Sequence, residues 1–402
     1  MTLRVLLDSL GVAHPLVDAA GARVRAARGS RATAGTLGNP VLSYQVDNTP
    51  FPGGRPINGL DREAMTTATL PLEPLYQRGA RVARANADIR AAEADMVVSR
   101  QRLALDAIRA YYRVAIGQVM TATSRDLSAW LDTVVAYNQS RFKEGVTSEA
   151  DVLRSQLERD RTAADATVAE AELVQARAEL EGFLGTSSGS VEVAAGIAPL
   201  TMPAAASEGQ HVLATRGEVR SARERLAAAT ASVTVEQRML IRQLGATVGT
   251  KQTAGTTSLV AGLSLPIPLF DANRGEVQRA SAQRDVAAYE LANQERVTSA
   301  EVAGAYRAAR LLTDRVTPSA REGANNLLTR ADEVRRIALG AYREGAVPLI
   351  QVIDASRAWG DARNTYYRTL YAQHESVLNL LAAEGTDLFL SPSITLLTEP
   401  TR

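Results

Sequence analysis

Apolar positions along this chain follow two periods, and the two periods alternate twice. From about 79 to 142, Val82, Ala85, Ile89, Ala92 and Met96 step by three and four, and Leu127, Trp130, Val134 and Tyr137 resume that spacing near the far end. This predicts one long helix with a narrow apolar seam, about 95 Å long at ~1.5 Å per residue. A second long helix is expected from about 275 to 342, kinked or broken at Pro318. Return helices are expected at about 148–184 and 349–383. A further helix is expected at about 213–242, where Val219, Ala222, Leu226, Ala229 and Val233 share a face. Period-two alternation predicts four strands, at about 40–47, 64–72, 244–250 and 258–265. Leu42, Tyr44 and Val46 share one face of the first, and Ala68, Leu70 and Leu72 of the second. Leu244, Ala246 and Val248 share a face of the third, and Leu259, Ala261, Leu263 and Leu265 of the fourth. Turn residues fill the stretch from Asp47 to Arg62, and Gly255 marks the second turn, so the strands read as two hairpins.

The pattern repeats with an offset near two hundred. Arg141-Phe142-Lys143-Glu144-Gly145 returns as Ala341-Tyr342-Arg343-Glu344-Gly345, Val152-Leu153 as Val352-Ile353, and Gly185 as Gly385. Upstream, Ala110-Tyr111-Tyr112-Arg113 is similar to Gly304-Ala305-Tyr306-Arg307. Leu70-Pro71-Leu72 is similar to Leu265-Pro266-Ile267, and Gly79 to Gly275. A drift of a few residues is what loop insertions cause. The chain therefore reads as two copies of one unit, 1–205 and 206–402, rather than several unrelated domains.

Composition sharpens this picture. Alanine fills roughly seventy positions while aromatics are 4%, which favours long, closely approaching helices over a thick globular core. The 45 basic and 44 acidic side chains nearly cancel, which argues against a nucleic-acid partner. There is no cysteine, which suits an oxidising compartment and removes thiolate chemistry. No apolar run reads as the ~18 residues of a membrane helix. Asp8 interrupts the stretch from Met1 to Leu10, so it does not read as a signal peptide. His14, His211 and His374 share no metal-ligand spacing, and Gly249-Thr250-Lys251 lacks the spacing of a phosphate loop. No enzyme activity, cofactor or metal site is expected.

The strands constrain the function. About ten residues at ~3.3 Å each, tilted near 45°, cover about 23 Å, close to the ~25 Å apolar band of an outer-membrane barrel. Four strands cannot close a barrel. Open sheet edges are not tolerated in lipid, so several copies would have to share their strands. A soluble edge sheet, or a plain coiled-coil rod, is the competing reading. At the helix ends, Gly145 and Gly345 suit left-handed caps. Ser148 suits the cap of the returning helix, and Pro348 suits the first turn of its counterpart.

Three segments carry a resemblance. They are Asn39-Pro40-Val41-Leu42-Ser43-Tyr44, then Leu265-Pro266-Ile267-Pro268-Leu269-Phe270-Asp271, and Arg141 to Ser148 followed by Asp151-Val152-Leu153. In this order and duplicated, they resemble the TolC-like outer-membrane efflux proteins, or outer-membrane factors, over nearly the whole chain. The first segment, continued through Val46-Asp47-Asn48, is similar to the CzcC/CusC heavy-metal branch. The resemblance implies a mainly α fold with a small β part. Four strands per chain would enter a trimeric twelve-stranded outer-membrane β-barrel, continued by a long α-helical barrel through the periplasm. Segments 186–210 and 386–402 would form a belt around its middle. The implied function is a passive exit duct of a tripartite efflux system. The implied partners are two further copies of the chain, a periplasmic adaptor, an inner-membrane transporter and outer-membrane lipid. The resemblance assigns adaptor docking to the helix tips, at Arg141, Gly145, Ser148, Asp151, Leu153, Tyr342 and Gly345. It assigns the aperture to Asp354 and to Gln351, where the family often has an acid, and the strand–helix junctions to Pro40, Pro266 and Pro268. A periplasmic coiled-coil adaptor or scaffold without a pore is the alternative.

Overall fold

The computed structural model describes residues 1–12, 14–49, 52, 59–187, 189, 191–194, 197–203, 209–239, 244–320 and 326–389. Among them the order of elements is α1 (Leu3–Val12), α2 (Pro15–Ala34), β1 (Val41–Asp47), β2 (Glu63–Pro71), α3 (Glu73–Lys143) and α4 (Glu149–Leu184). There follow α5 (Gly209–Thr215), α6 (Gly217–Arg238), β3 (Gly245–Thr253), β4 (Thr256–Ser264), α7 (Arg274–Ala320), α8 (Leu327–Arg343) and α9 (Leu349–Ala383). The chain forms two compact units. One comprises 1–18, 98–216 and 297–402, and the other 19–97 and 217–296.

The second unit holds the sheet. Its order is β1-β2-β3-β4, antiparallel throughout, with β1 and β4 at the edges. The register carries the two-residue alternation across all four strands. Leu42 lies opposite Ala68, Ala68 opposite Val248, and Val248 opposite Ala261. The next row on that face is Tyr44, Thr66, Thr250 and Leu259. The opposite face carries Ser43, Thr67, Gly249 and Val260, then Gln45, Met65, Lys251 and Ser258. β3 and β4 run closer to their turn than the expected 250 and 258. Thr253 pairs with Thr256 across Ala254 and Gly255, whose φ values of 50° and 79° suit a two-residue hairpin turn. The added residues are polar on both faces, so alternation could not mark them. In the same unit Ala85, Ala87, Ala91 and Ala94 of α3 are buried. Ion pairs flank them, Arg28 to Glu93 at 2.9 Å and Arg90 to Glu224 at 2.7 Å.

The first unit has the larger core. Leu6, Leu7 and Leu10 of α1 pack with Ala104, Ile108 and Val114 of α3, Leu180 of α4, and Leu378 and Leu381 of α9. The stretch Leu3–Ala34 is, by length and composition, apolar enough to pass for a membrane helix, contrary to the expectation above. Its first leucines nevertheless belong to this core.

Two expected helices are divided. The stretch read as one helix over 275–342 is α7 and α8. Pro318 stays inside α7, two residues from its end. A new helix starts at Asn326, whose carboxamide oxygen accepts from the Thr329 N–H at 2.6 Å. The helix read over 213–242 is α5 and α6, interrupted at Arg216. That side chain is buried, with its guanidinium 2.7 Å from Glu301 and donating to the Ala383 carbonyl. Residues 240–243, parts of the 48–62 turn, parts of 186–210 and 390–402 lie outside the described residues.

Candidate functional site

The helix ends are built from the repeat. Gly145 has φ 73° and Gly345 φ 78°. Val146 N–H donates to the Arg141 carbonyl and Gly145 N–H to the Phe142 carbonyl, each at 2.9 Å. Ala346 to Ala341 at 2.9 Å and Gly345 to Tyr342 at 3.0 Å reproduce the arrangement two hundred residues on. This closure satisfies the last helical carbonyls and requires a left-handed residue, where glycine has no Cβ to strain. Gly385 ends α9 in the same way, and Gly185, also left-handed, ends α4 with its own N–H and that of Thr186 both on the Glu181 carbonyl. The returning helices start differently. Ser148 Oγ accepts from the Asp151 N–H at 3.2 Å and donates to the Asp151 carboxylate at 2.9 Å. Pro348 occupies the cap position itself, rather than the expected first turn, and has no side-chain bond to offer.

Tyr342 joins the two tips. Its hydroxyl donates to the side-chain oxygen of buried Asn138. Its ring meets Tyr137 edge-on, with centroids 5.9 Å apart. The Arg141 guanidinium lies over both rings, at 5.6 Å and 5.7 Å. Burial pushes the Tyr342 phenol up, the Arg141 charge opposes this, and the Asp151 charge adds to it. Beneath lie Val134, Leu349, Val352 and Ile353. The structure thus gathers Arg141, Asp151 and Tyr342 into one cluster, with Gly145, Ser148 and Gly345 shaping the turns around it. Leu153, Gln351 and Asp354 stand exposed. Asp354 contributes its charge toward Arg357. Pro40 directly precedes β1, while Pro266 and Pro268 lie between β4 and α7.

Further fastenings were not marked by the sequence. The two tryptophans, Trp130 and Trp359, flank Arg335 of α8, at 5.4 Å and 3.9 Å from the ring centroids. Trp359 donates its indole N–H to Asp332, and Arg363 lies 4.5 Å from its ring. α4 and α9 are joined where Arg357 donates to both oxygens of Glu158, at 2.8 Å and 2.6 Å. The Arg357 bonds hold the Glu158 carboxyl below the usual carboxylate range. Arg357→Met is expected to cost about 2 kcal/mol. This is less than the ~3–5 kcal/mol of a fully buried pair, because Arg357 is half exposed while Glu158 is not. Adding Glu158→Gln is expected to restore about half of the loss. Thermal unfolding of the four combinations checks this, and a double variant no more stable than Arg357→Met overturns it.

The sheet's apolar face is uncovered. Leu42 and Leu259 are each 76% exposed, and Tyr44, Val248 and Leu263 are exposed beside them. The other face is polar, with Thr69 and Thr247 hydroxyls 2.9 Å apart and Lys251 2.6 Å from Glu63. Both edge strands leave backbone groups free to pair with another chain. An apolar face, a polar face and two open edges are what a shared wall between lipid and water requires.

Comparison with known proteins agrees with this geometry. The family model described as outer membrane efflux protein matches residues 6–186 and 209–386. The cobalt-zinc-cadmium resistance protein CzcC of Cupriavidus metallidurans is 25% identical over 397 residues, covering 94% of this chain and 89% of that protein. The solved outer-membrane channel OprN superposes with a TM-score of 0.82 at 20% identity, over 96% of this chain and 91% of OprN. The solved structure of CusC superposes with a TM-score of 0.81 at 17% identity, over 96% of this chain and 92% of CusC.

Proposed function

This chain belongs to the outer membrane efflux protein family, and we propose that it is the passive exit duct of a tripartite efflux system. The observation that carries the reading is the four-stranded sheet with one apolar, exposed face and two unpaired edges. Three chains sharing four strands each make a twelve-stranded barrel with a water-filled lumen, whereas eight strands would fill with side chains. The helices then continue the duct into the periplasm. The helix tips, Arg141, Gly145, Ser148, Asp151, Leu153, Tyr342 and Gly345, dock a periplasmic adaptor. The adaptor in turn meets an inner-membrane transporter that supplies the energy. Divalent metal cations are the cargo. This is supported by the likeness to CzcC, named for cobalt, zinc and cadmium resistance. Asp354, with Gln351 one turn before it, faces the axis at the narrow end, where three carboxylates attract cations.

Purification and reconstitution test this. The detergent-solubilised protein is expected at three times the 42.9 kDa chain mass, with single-channel conductance in planar bilayers. Asp354→Ala is expected to lower cation-over-anion selectivity by at least twofold. A water-soluble single chain without conductance overturns the duct, and unchanged selectivity overturns the role of Asp354.

A further inference from the structure

The two strand-to-helix connections of the repeat are unequal. A single residue, Leu72, separates β2 from α3, whereas residues 265–273 separate β4 from α7. The added length is apolar and stands away from the protein. Leu265, Ile267 and Leu269 are exposed, and Phe270 is fully so. The connector is nevertheless pinned at both ends. Ser264 closes the ladder opposite Gly245. At the other end Asn273 is buried in a left-handed conformation. Its amide donates to the Glu236 carbonyl at 2.7 Å and to the Glu236 carboxylate at 3.1 Å. Asp271 accepts from the Asn273 N–H at 2.9 Å. A fixed stretch presenting four large apolar side chains marks an interaction surface.

Its spacing continues the sheet's apolar face. Leu259, Ala261 and Leu263 face that side within β4, and Leu265, Ile267 and Leu269 keep the two-residue step beyond it. At ~3.3 Å per residue and a tilt near 45°, residues 259–263 reach only about 12 Å along the membrane normal. Residues 259–267, up to the turn at Pro268, reach about 21 Å, close to the ~25 Å apolar band of outer-membrane barrels. Backbone outside a ladder is costly in hydrocarbon because its polar groups lack partners. Here Pro266 and Pro268 carry no N–H, and the Leu269 N–H donates to the Ile267 carbonyl at 2.9 Å. Few donors are left to satisfy, which suits the boundary between headgroups and acyl chains.

We propose that Leu265–Phe270 is a lipid-contact segment. It lies at the headgroup–acyl boundary of the leaflet from which α3 and α7 leave the sheet, completes the apolar band there, and sets the depth of the barrel. This rests on the outer-membrane duct reading, and the occupant is phospholipid.

The chain has no cysteine, so single cysteines at 263, 267 and 270 can each carry one fluorophore. Leu263→Cys, Ile267→Cys and Phe270→Cys proteins are labelled and reconstituted into phosphatidylethanolamine–phosphatidylglycerol vesicles. The vesicles contain lipids brominated at shallow or deep acyl positions, and iodide is the aqueous quencher. Labels at 267 and 270 are expected to be quenched at least twofold more by shallow-brominated lipid than by iodide, and the label at 263 by deep-brominated lipid. Quenching of 263 by lipid, with 267 and 270 reached by iodide alone or by neither quencher, overturns the lipid-contact segment and leaves the barrel standing. In that case water, or a second copy of the chain, covers the run. No lipid quenching at 263 overturns the barrel reading and the segment with it.

Discussion

Gly249→Val is expected to abolish the assembled channel while leaving the helices folded. Gly249 sits on the polar face of β3, opposite Thr67 on β2. A Cβ there would lie 2.1 Å from the Thr66 carbonyl oxygen and 2.7 Å from the Thr67 Cα. Both are backbone atoms and cannot swing aside as a flexible side chain would. β2 and β3 therefore have to part, and their ladder is the one that joins the hairpin of the first repeat to that of the second. Overpacking alone costs about 1–3 kcal/mol, and each ladder hydrogen bond lost adds about 1 kcal/mol. Gly262 is the control. It lies on the same face of β4, and a Cβ there would meet nothing within 4 Å. Recovery of detergent-stable oligomer from membranes reads the difference. Gly249→Val is expected below a tenth of the parent yield, and Gly262→Val within twofold of it. Parental recovery of Gly249→Val contradicts the close approach.

The parts of the molecule that the sequence revealed are those governed by local rules. Alternation located the strands and sorted Leu42, Val248 and Leu263 onto one face, because a strand's side chains change sides at every residue. It failed at 251–253 and 256–257, where polar residues continue the ladder without a pattern. The repeat exposed Gly145 and Gly345, since a helix end closed by a left-handed residue leaves a glycine in both copies. The division between α7 and α8 was signalled by Pro318, which lies two residues before the end of α7, whereas the new start at Asn326 was not. The cluster around Tyr342 was half legible. Arg141, Asp151 and Tyr342 came from the resemblance and Tyr137 from the apolar seam alone, whereas Asn138 lies inside a long helix with nothing local to single it out. Glu158 and Arg357 meet across 199 residues, close to the repeat offset. Corresponding helices of the two copies therefore face one another, a hint the repeat contained. Trp130 and Trp359 are the chain's only tryptophans, and their rarity was the available signal for the clasp on Arg335.

Acid is expected to destabilise the helical unit by about 3 kcal/mol between pH 6.5 and pH 4, and His374→Gln is expected to remove most of that dependence. His374 of α9 is 2% exposed, and its Nε2 lies 2.8 Å from the Ala198 carbonyl oxygen. A carbonyl can only accept, so Nε2 carries the hydrogen and Nδ1 is bare. Among the described residues Nδ1 is buried without a partner, and the Tyr112 ring packs edge-on at 4.4 Å. A second proton would have to sit on Nδ1 with no acceptor and little water, so burial pulls the imidazole down to about 4. The sign follows. Between the ordinary value of 6.5 and about 4, the unfolded chain takes up a proton that the folded chain refuses. Stability therefore falls as pH falls through that window, by about 1.4 kcal/mol per pH unit. Glu158 acts in the same direction at lower pH. Its carboxyl is held below the usual range, so its contribution is lost only at the acid edge of the window. The adjacent Gln373 bonds both backbone groups of Leu200, so His374 and Gln373 together fasten segment 197–200 to α9. In His374→Gln the carboxamide N–H can replace the bond to Ala198 without titrating. Thermal unfolding midpoints of parent and variant at pH 7 and pH 4.5 decide the matter. The parent is expected to drop by several degrees more than the variant, and parallel losses in the two proteins would place the acid sensitivity elsewhere in the chain.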